Sequence, residues 1–227
     1  MNMLSKTTFL EQFPLFDVLS SEEMFQLSQM VELKKRPKYN YIYMKDEPSD
    51  YIYFLLKGTI KIVTHSQDEK EVIKAILHPF AMFGELGIVG EDARTDFAKA
   101  MNQEVQYFCL KVEDLRKLMR TNHRLCTKIL TMMGTRLRRV ENRLESLIFK
   151  DARTRIIDFL KESAEKRGRK IGIDEMLVKH SLTQQDIANI TGTSRQTVTS
   201  VLNDLKKSNL IHFTRRSILI RDLRKLA

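Results

Sequence analysis

Leu182–Leu205 reads LTQQDIANITGTSRQTVTSVLNDL, and two apolar phases within it decide the C-terminal fold. Ile187 and Ile190 share one face of a first short helix. Val198, Val201, Leu202 and Leu205 recur at helical spacing on a second. Gly192 lies between them and suits a sharp bend, because glycine enters the left-handed region without a Cβ clash. Ala188, one turn earlier, keeps the crossing point narrow. Each helix opens on a capping pattern, Thr183 with Asp186 and Thr193 with Gln196. The second helix turns Ser194, Arg195, Gln196, Thr199 and Ser200 away from its apolar face. Arg can bond bidentately to guanine, Gln to adenine, and Ser or Thr to phosphate or a base edge. The pattern therefore predicts a helix-turn-helix that enters a DNA major groove, against the simpler alternative of a polar helical hairpin.

The chain around it has 227 residues, 42% of them hydrophobic, enough for two cored domains. It holds no apolar run of membrane-spanning length, and MNMLSKTTFLEQF at its start is not a secretory signal. A cytoplasmic protein, with no membrane partner, is expected. Cys109 and Cys126 form no CxxC pair and read as reduced thiols, both buried. Residues 150–227 carry 17 Lys and Arg against 9 Asp and Glu, and with them most of the net charge of +10. That field suits a polyanion such as double-stranded DNA, although basic charge alone also fits RNA or an anionic surface.

Upstream, Phe9, Phe13, Leu15, Phe16, Leu19, Met24, Leu27 and Val31 suggest short structural helices. After the basic cluster Lys34–Arg36 and Pro37 the pattern changes to YNYIYM, DYIYFLL, TIKIVT, EVIKAIL and later VQYFCL, punctuated by turn residues. Such runs predict an antiparallel roll or barrel. One loop stands out, Phe83 to Gly90 followed by Arg94-Thr95. Its glycines admit close approach of a ligand, Arg with an adjacent hydroxyl suits a phosphate, and Glu85 could accept from a ribose hydroxyl. Asp96, next to Thr95, would repel that phosphate.

Arg124–Phe149 keeps a heptad. Leu130, Leu137 and Leu144 occupy a positions; Cys126, Met133, Val140 and Leu147 occupy d. A parallel homodimer follows, in which Arg136 at g faces Glu141 at e of the partner. Lys150-Asp151-Ala152 breaks the heptad, with Asp151 capping a new helix through Ile156, Ile157, Phe159 and Leu160. After the helix-turn-helix, Leu210–Phe213 and Ser217–Ile220 alternate as a hairpin around Thr214-Arg215-Arg216, a wing whose arginines would lie on a DNA backbone.

The FGEL loop with Arg94-Thr95, the long helix ending LIFKDARTRI and the segment GTSRQTV together resemble the cyclic-AMP receptor protein and fumarate-nitrate-reduction regulator (CRP/FNR) family of bacterial transcription factors, over nearly the whole chain. The resemblance implies an α+β protein: an N-terminal double-stranded β-helix, a jelly roll of cyclic-nucleotide-binding type, over residues 1–122; a dimerisation helix over 123–150; and a winged helix-turn-helix over 151–227. It further implies Glu85 on a ribose hydroxyl and Arg94 with Thr95 on a cyclic phosphate, supported by backbone at Gly84 and Leu86. RNA polymerase is the implied protein partner. The chain departs from the cyclic-AMP-responsive pattern at Val140-Glu141, where a Thr-Ser pair is usual, at Pro79-Phe80-Ala81, and at Asn40, where Gly is usual. Three readings of the roll stay open: a cyclic-nucleotide sensor, a nucleotide-sensing module without DNA binding, and a regulator with a vestigial pocket. No N-terminal cysteine cluster suits an iron–sulfur centre. His65, His78, His123, His180 and His212 share no metal spacing and no catalytic constellation is present, so an enzyme is not expected.

Overall fold

The computed structural model describes residues 3–214 and 216–226. It divides into two compact units, one of residues 1–70 and 74–138, the other of residues 71–73 and 139–227. The first begins with α1 (Met3–Leu10) and α2 (Ser21–Met30). Ser20 and Glu23 close a reciprocal capping box on α2, which satisfies two otherwise orphaned amides. Phe13, Phe16, Met24 and Leu27 from this region bury themselves against Ile52, Phe54, Phe108 and Leu110 of the roll. The early helices are thus core, as their spacing suggested.

Eight strands follow: β1 (Glu32–Pro37), β2 (Tyr41–Tyr43), β3 (Tyr51–Lys57), β4 (Ile60–His65), β5 (Glu71–Leu77), β6 (Met82–Phe83), β7 (Phe97–Ala100) and β8 (Glu104–Lys111). They form two four-stranded sheets, ordered β1-β8-β3-β6 and β2-β7-β4-β5. This is the expected jelly roll, with three strands that the apolar pattern did not reveal. The Lys34–Arg36 cluster is one of them: β1 pairs antiparallel with β8 over its whole length and occupies a sheet edge, where basic side chains guard an open ladder. β6 and β7 are too short to show a period.

Helix α3 (Val112–Thr121) leads into α4 (His123–Phe149). The division between the units falls inside α4, whose Leu125 and Ile129 are buried in the core of the first. The second unit continues with α5 (Ala152–Arg167), β9 (Arg169–Lys170), β10 (Met176–Lys179), α6 (Gln184–Thr191), α7 (Arg195–Lys207), β11 (Ile211–Phe213) and β12 (Ser217–Ile220). Asp151 caps α5 by accepting from the Thr154 amide at 2.7 Å, the predicted break in the long helix. The small sheet runs β11-β12-β10-β9, so the wing hairpin extends a sheet rather than standing alone. Ile156, Leu160, Ile187, Val198, Leu202, Leu205 and Ile218 close this unit's core. Each such side chain contributes roughly 1.5–3 kcal/mol by leaving water.

Candidate nucleic-acid interface and anion cradle

Thr183 caps α6: its hydroxyl accepts from the Asp186 amide at 3.1 Å, while the Asp186 carboxylate accepts from the Thr183 amide at 2.8 Å. Gly192 ends α6 in the left-handed region, φ 63° and ψ 46°. The second cap lies one residue beyond its expected place. Ser194, not Thr193, is the N-cap of α7, accepting from the Thr197 amide at 3.0 Å. The left-handed glycine is the reason: it turns the Thr193 amide back to donate to the Ala188 carbonyl, which makes Thr193 part of the exit from α6. Gln196 is thereby released from any capping role. Ala188, at the crossing, is fully buried.

On α7 the apolar row is buried and Ser194, Arg195, Gln196 and Ser200 are exposed. The side chains of Arg195 and Gln196 make no hydrogen bond or ion pair among the described residues, so both keep their full donor sets for a ligand. Thr199 differs. Its hydroxyl lies 2.7 Å from Gln184 Oε1 and 2.9 Å from the Arg195 carbonyl, so its proton is held within the protein. Of the two wing arginines, Arg216 is exposed beside the Thr214–Ser217 turn, whereas Arg215 lies outside the described residues.

Two arginines that the linear pattern did not single out fix the helix-turn-helix. Arg155 of α5 donates to the Thr191 carbonyl at 2.8 Å and the Gly192 carbonyl at 3.0 Å, and Arg143 of α4 donates to the Ile190 carbonyl at 2.6 Å. These carbonyls are the unsatisfied end of α6, where a cation also meets the negative end of the helix dipole. In the sequence each reads as one more solvated cation. Gly192 cannot be replaced cheaply, since a Cβ there would fall 2.7 Å from Leu147 Cδ2 and sit on a left-handed backbone. Gly192→Ala is expected to cost about 1–2 kcal/mol, seen as a melting temperature lower by about 2–8 °C. His180, just before α6, is half-buried, its enclosed Nε2 without a hydrogen-bond partner among the described residues; partial burial, with nearby Arg167, pulls its pKa below the ordinary 6.5.

The roll gathers Gly84, Glu85, Leu86, Arg94 and Thr95 at one place, around a short 3-10 turn at Glu85–Val89. Gly84 stands at φ 72°, and a Cβ on it would meet the Arg94 guanidinium at 3.0 Å. Arg94 is buried and donates to the Gly84 carbonyl at 3.0 Å and to the Tyr51 carbonyl. Its guanidinium carbon lies 4.5 Å from the centre of the Tyr43 ring and 5.7 Å from that of Tyr53. Glu85 is buried in an ion pair with Arg136, which also donates to the Met82 carbonyl. Arg136 therefore has partners in its own chain, where the heptad had assigned it to Glu141 of a second chain.

A carboxylate does occupy the cradle, but it is not Asp96. Asp96 accepts from the Tyr43 hydroxyl at 3.0 Å and from Lys74 at 3.0 Å. Glu91 instead approaches Arg94 Nη1 at 3.6 Å and accepts from the hydroxyls of Thr95 and Ser49, each at 2.9 Å. Burial, reinforced by Asp96, raises the Tyr43 phenol far above its ordinary value, so it stays protonated and donating. With Tyr53, pushed up to about 12 chiefly by burial, it stacks in a cluster with Phe83. As arranged, these residues do not fit a cyclic phosphate: Arg94 has negligible exposure and its anion position is filled.

On α4, Leu130, Leu137, Val140, Leu144 and Leu147 are exposed at 45–70% of their surface, whereas Cys126 and Met133 are half-buried. Cys126 is not fully buried as expected; its thiol reaches the Met119 carbonyl at 3.0 Å. No helix among the described residues is long and apolar enough to cross a membrane.

Comparison with known proteins places both units. Residues 154–227 match the Crp-like helix-turn-helix domain and residues 33–122 the cyclic nucleotide-binding domain. The chain is 30% identical over 213 residues to a CRP-like cAMP-activated global transcriptional regulator of Mycobacterium tuberculosis, covering 94% of each. It is 27% identical over 183 residues to a global nitrogen regulator of Synechocystis, covering 79% of this chain and 80% of that one. Among solved structures, FixK2 from Bradyrhizobium japonicum superposes with a TM-score of 0.77 at 23% identity, covering 86% of this chain and 95% of the other. A CooA mutant from Carboxydothermus hydrogenoformans gives 0.77 at 24%, covering 93% of each.

Proposed function

The chain belongs to the CRP/FNR family of DNA-binding transcriptional regulators, and from that premise we propose that it acts in the cytoplasm as a homodimer. In this reading residues 123–150 are the dimerisation helix, and two copies of α7 enter successive major grooves of a near-palindromic operator, about 34–36 Å apart. RNA polymerase is the protein partner that receives the effect, and no catalytic role is assigned. The observation that carries the proposal is the two-faced α7, with Val198, Val201, Leu202 and Leu205 buried and Arg195 and Gln196 exposed without partners among the described residues.

Roles follow from chemistry. Arg195 reads a guanine bidentately and Gln196 an adjacent base, adenine being the match for its amide. Thr183 and Ser194 stand at helix N-termini, where backbone amides and hydroxyls suit phosphate. Thr199 contributes less to hydrogen-bonded readout, because its hydroxyl proton is already held by Gln184 or Arg195. Ser200 offers a short donor and acceptor, and Arg216, with Arg215, grips the backbone beside the groove. Selection of operators from random duplex DNA tests the assignment. A near-palindrome is expected for the native protein, and Gln196→Glu should exchange a preference for adenine for one for cytosine at a single half-site position. An unchanged motif would remove Gln196 from the readout.

A further inference from the structure

We propose that Glu91 is a built-in anion that occupies the cradle a cyclic phosphate would take, so that the roll holds its ordered form, and the dimer its operator, without an added cyclic nucleotide. This rests on the regulator reading above and concerns its control. Two hydroxyl donors and one cation converge on the one carboxylate: the Thr95 and Ser49 hydroxyls donate to it, each at 2.9 Å, and the Arg94 guanidinium forms an ion pair with it at 3.6 Å. A guanidinium with about 1% of its side chain exposed needs a compensating charge, and Glu91, itself only 13% exposed, supplies it from the next turn of the same loop.

The carboxylate is held in place by backbone on both sides. Glu91 donates its amide to the Leu86 carbonyl at 3.0 Å, Ser49 donates to the Asp92 carbonyl at 2.9 Å, and Arg94 donates to the Glu47 carbonyl at 2.8 Å. The loop that carries the anion is therefore tied to the strand connection that carries its second hydroxyl partner. Of the other Arg94 donors, Nη1 is bonded to the Gly84 carbonyl and Nη2 to the Tyr51 carbonyl, Nε is buried without a hydrogen-bond partner among the described residues, and the guanidinium face rests on Tyr43. Glu85, the residue matched to a ribose hydroxyl, is closed off by Arg136. An entering cyclic nucleotide would have to displace a charge already paired, expose a buried arginine and break a second ion pair.

The test uses the full chain. Calorimetric titration with cyclic AMP and with cyclic GMP should give no binding to the native protein, and operator affinity should stay within about twofold in their presence. Glu91→Gln keeps one acceptor oxygen, sets an amide N–H donor against the other hydroxyl and removes the charge, and Glu91→Ala removes both charge and acceptors. Either variant should be stabilised by inorganic phosphate at millimolar concentration, with a rise in melting temperature of about 2–4 °C, where the native protein shows none. Nucleotide binding by the native protein, a nucleotide requirement for operator binding, or an equal response of native and variant proteins to phosphate would overturn the proposal. A native protein that binds neither nucleotide nor any selected DNA would count against the regulator reading, and the phosphate response would still decide the role of Glu91.

Discussion

Arg195→Ala is expected to lower affinity for the selected operator by about 30-fold or more while leaving the fold intact. A good bidentate pair between arginine and guanine discriminates by roughly 1–3 kcal/mol, and a symmetric dimer loses two such pairs. The loss should be confined to specific DNA: on random duplex the variant should fall only by the factor that one fewer cation per protomer predicts. Salt separates these contributions. Each phosphate contact adds about 0.9 to the slope of log affinity against log salt concentration, so Arg216→Ala should weaken all sequences alike and flatten that slope, whereas Arg195→Ala should chiefly erase the difference between sequences. Fluorescence anisotropy with a labelled operator and a scrambled duplex, across a salt series, reads both. A fold-integrity control is straightforward, because Arg195 is exposed and makes no side-chain hydrogen bond or ion pair among the described residues. Equal losses on both duplexes would move Arg195 from base readout to backbone contact.

How far these assignments were legible in the sequence depends on the range of the interactions behind them. The two faces of α7 and the bend at Gly192 are local: helical period and the steric freedom of one glycine suffice. The start of α7 was displaced by one residue, because Thr193 and Ser194 are equally good caps and only the return of the Thr193 amide to Ala188 distinguishes them. β1 was hidden by its edge position, which favours lysine and arginine over an apolar alternation. In the cradle, Arg94 and Thr95 announce themselves as neighbours. Glu91 does not, since its role needs Ser49, 42 residues away, and a loop turned so that its carboxylate points inward. Arg155 and Arg143 were equally silent. Both look like ordinary surface cations until the end of α6 is brought against them.

Leu137→Glu combined with Leu144→Glu should convert the dimer to a monomer and reduce operator affinity by at least about 10³-fold, from the specific toward the non-specific range. Exposure within the protomer guides which row of the proposed seam to mutate. Leu125 and Ile129, at c and g positions of α4, are buried in the protomer's own core, and partly buried Met132 packs against that core. On a helical wheel the d row borders that side, which explains why Cys126 and Met133, at the start of the helix, are half covered by their own chain, while Leu130, Leu137 and Leu144, and further along the d residues Val140 and Leu147, stand open. The a row is then the centre of the proposed parallel interface, and paired carboxylates placed there would meet their symmetry mates in a desolvated setting. The protomer itself should tolerate the change, because Leu137 and Leu144 are 60% and 58% exposed within it. Sedimentation should show the native protein as a dimer at micromolar concentration and the double variant as a monomer with an unchanged circular dichroism spectrum. A variant that remained dimeric and kept its operator affinity would require a different seam. Arg136→Ala gives the complementary control: with its guanidinium on Glu85 rather than across the two-fold, its loss should alter the roll's melting temperature and leave the sedimentation of the dimer unchanged.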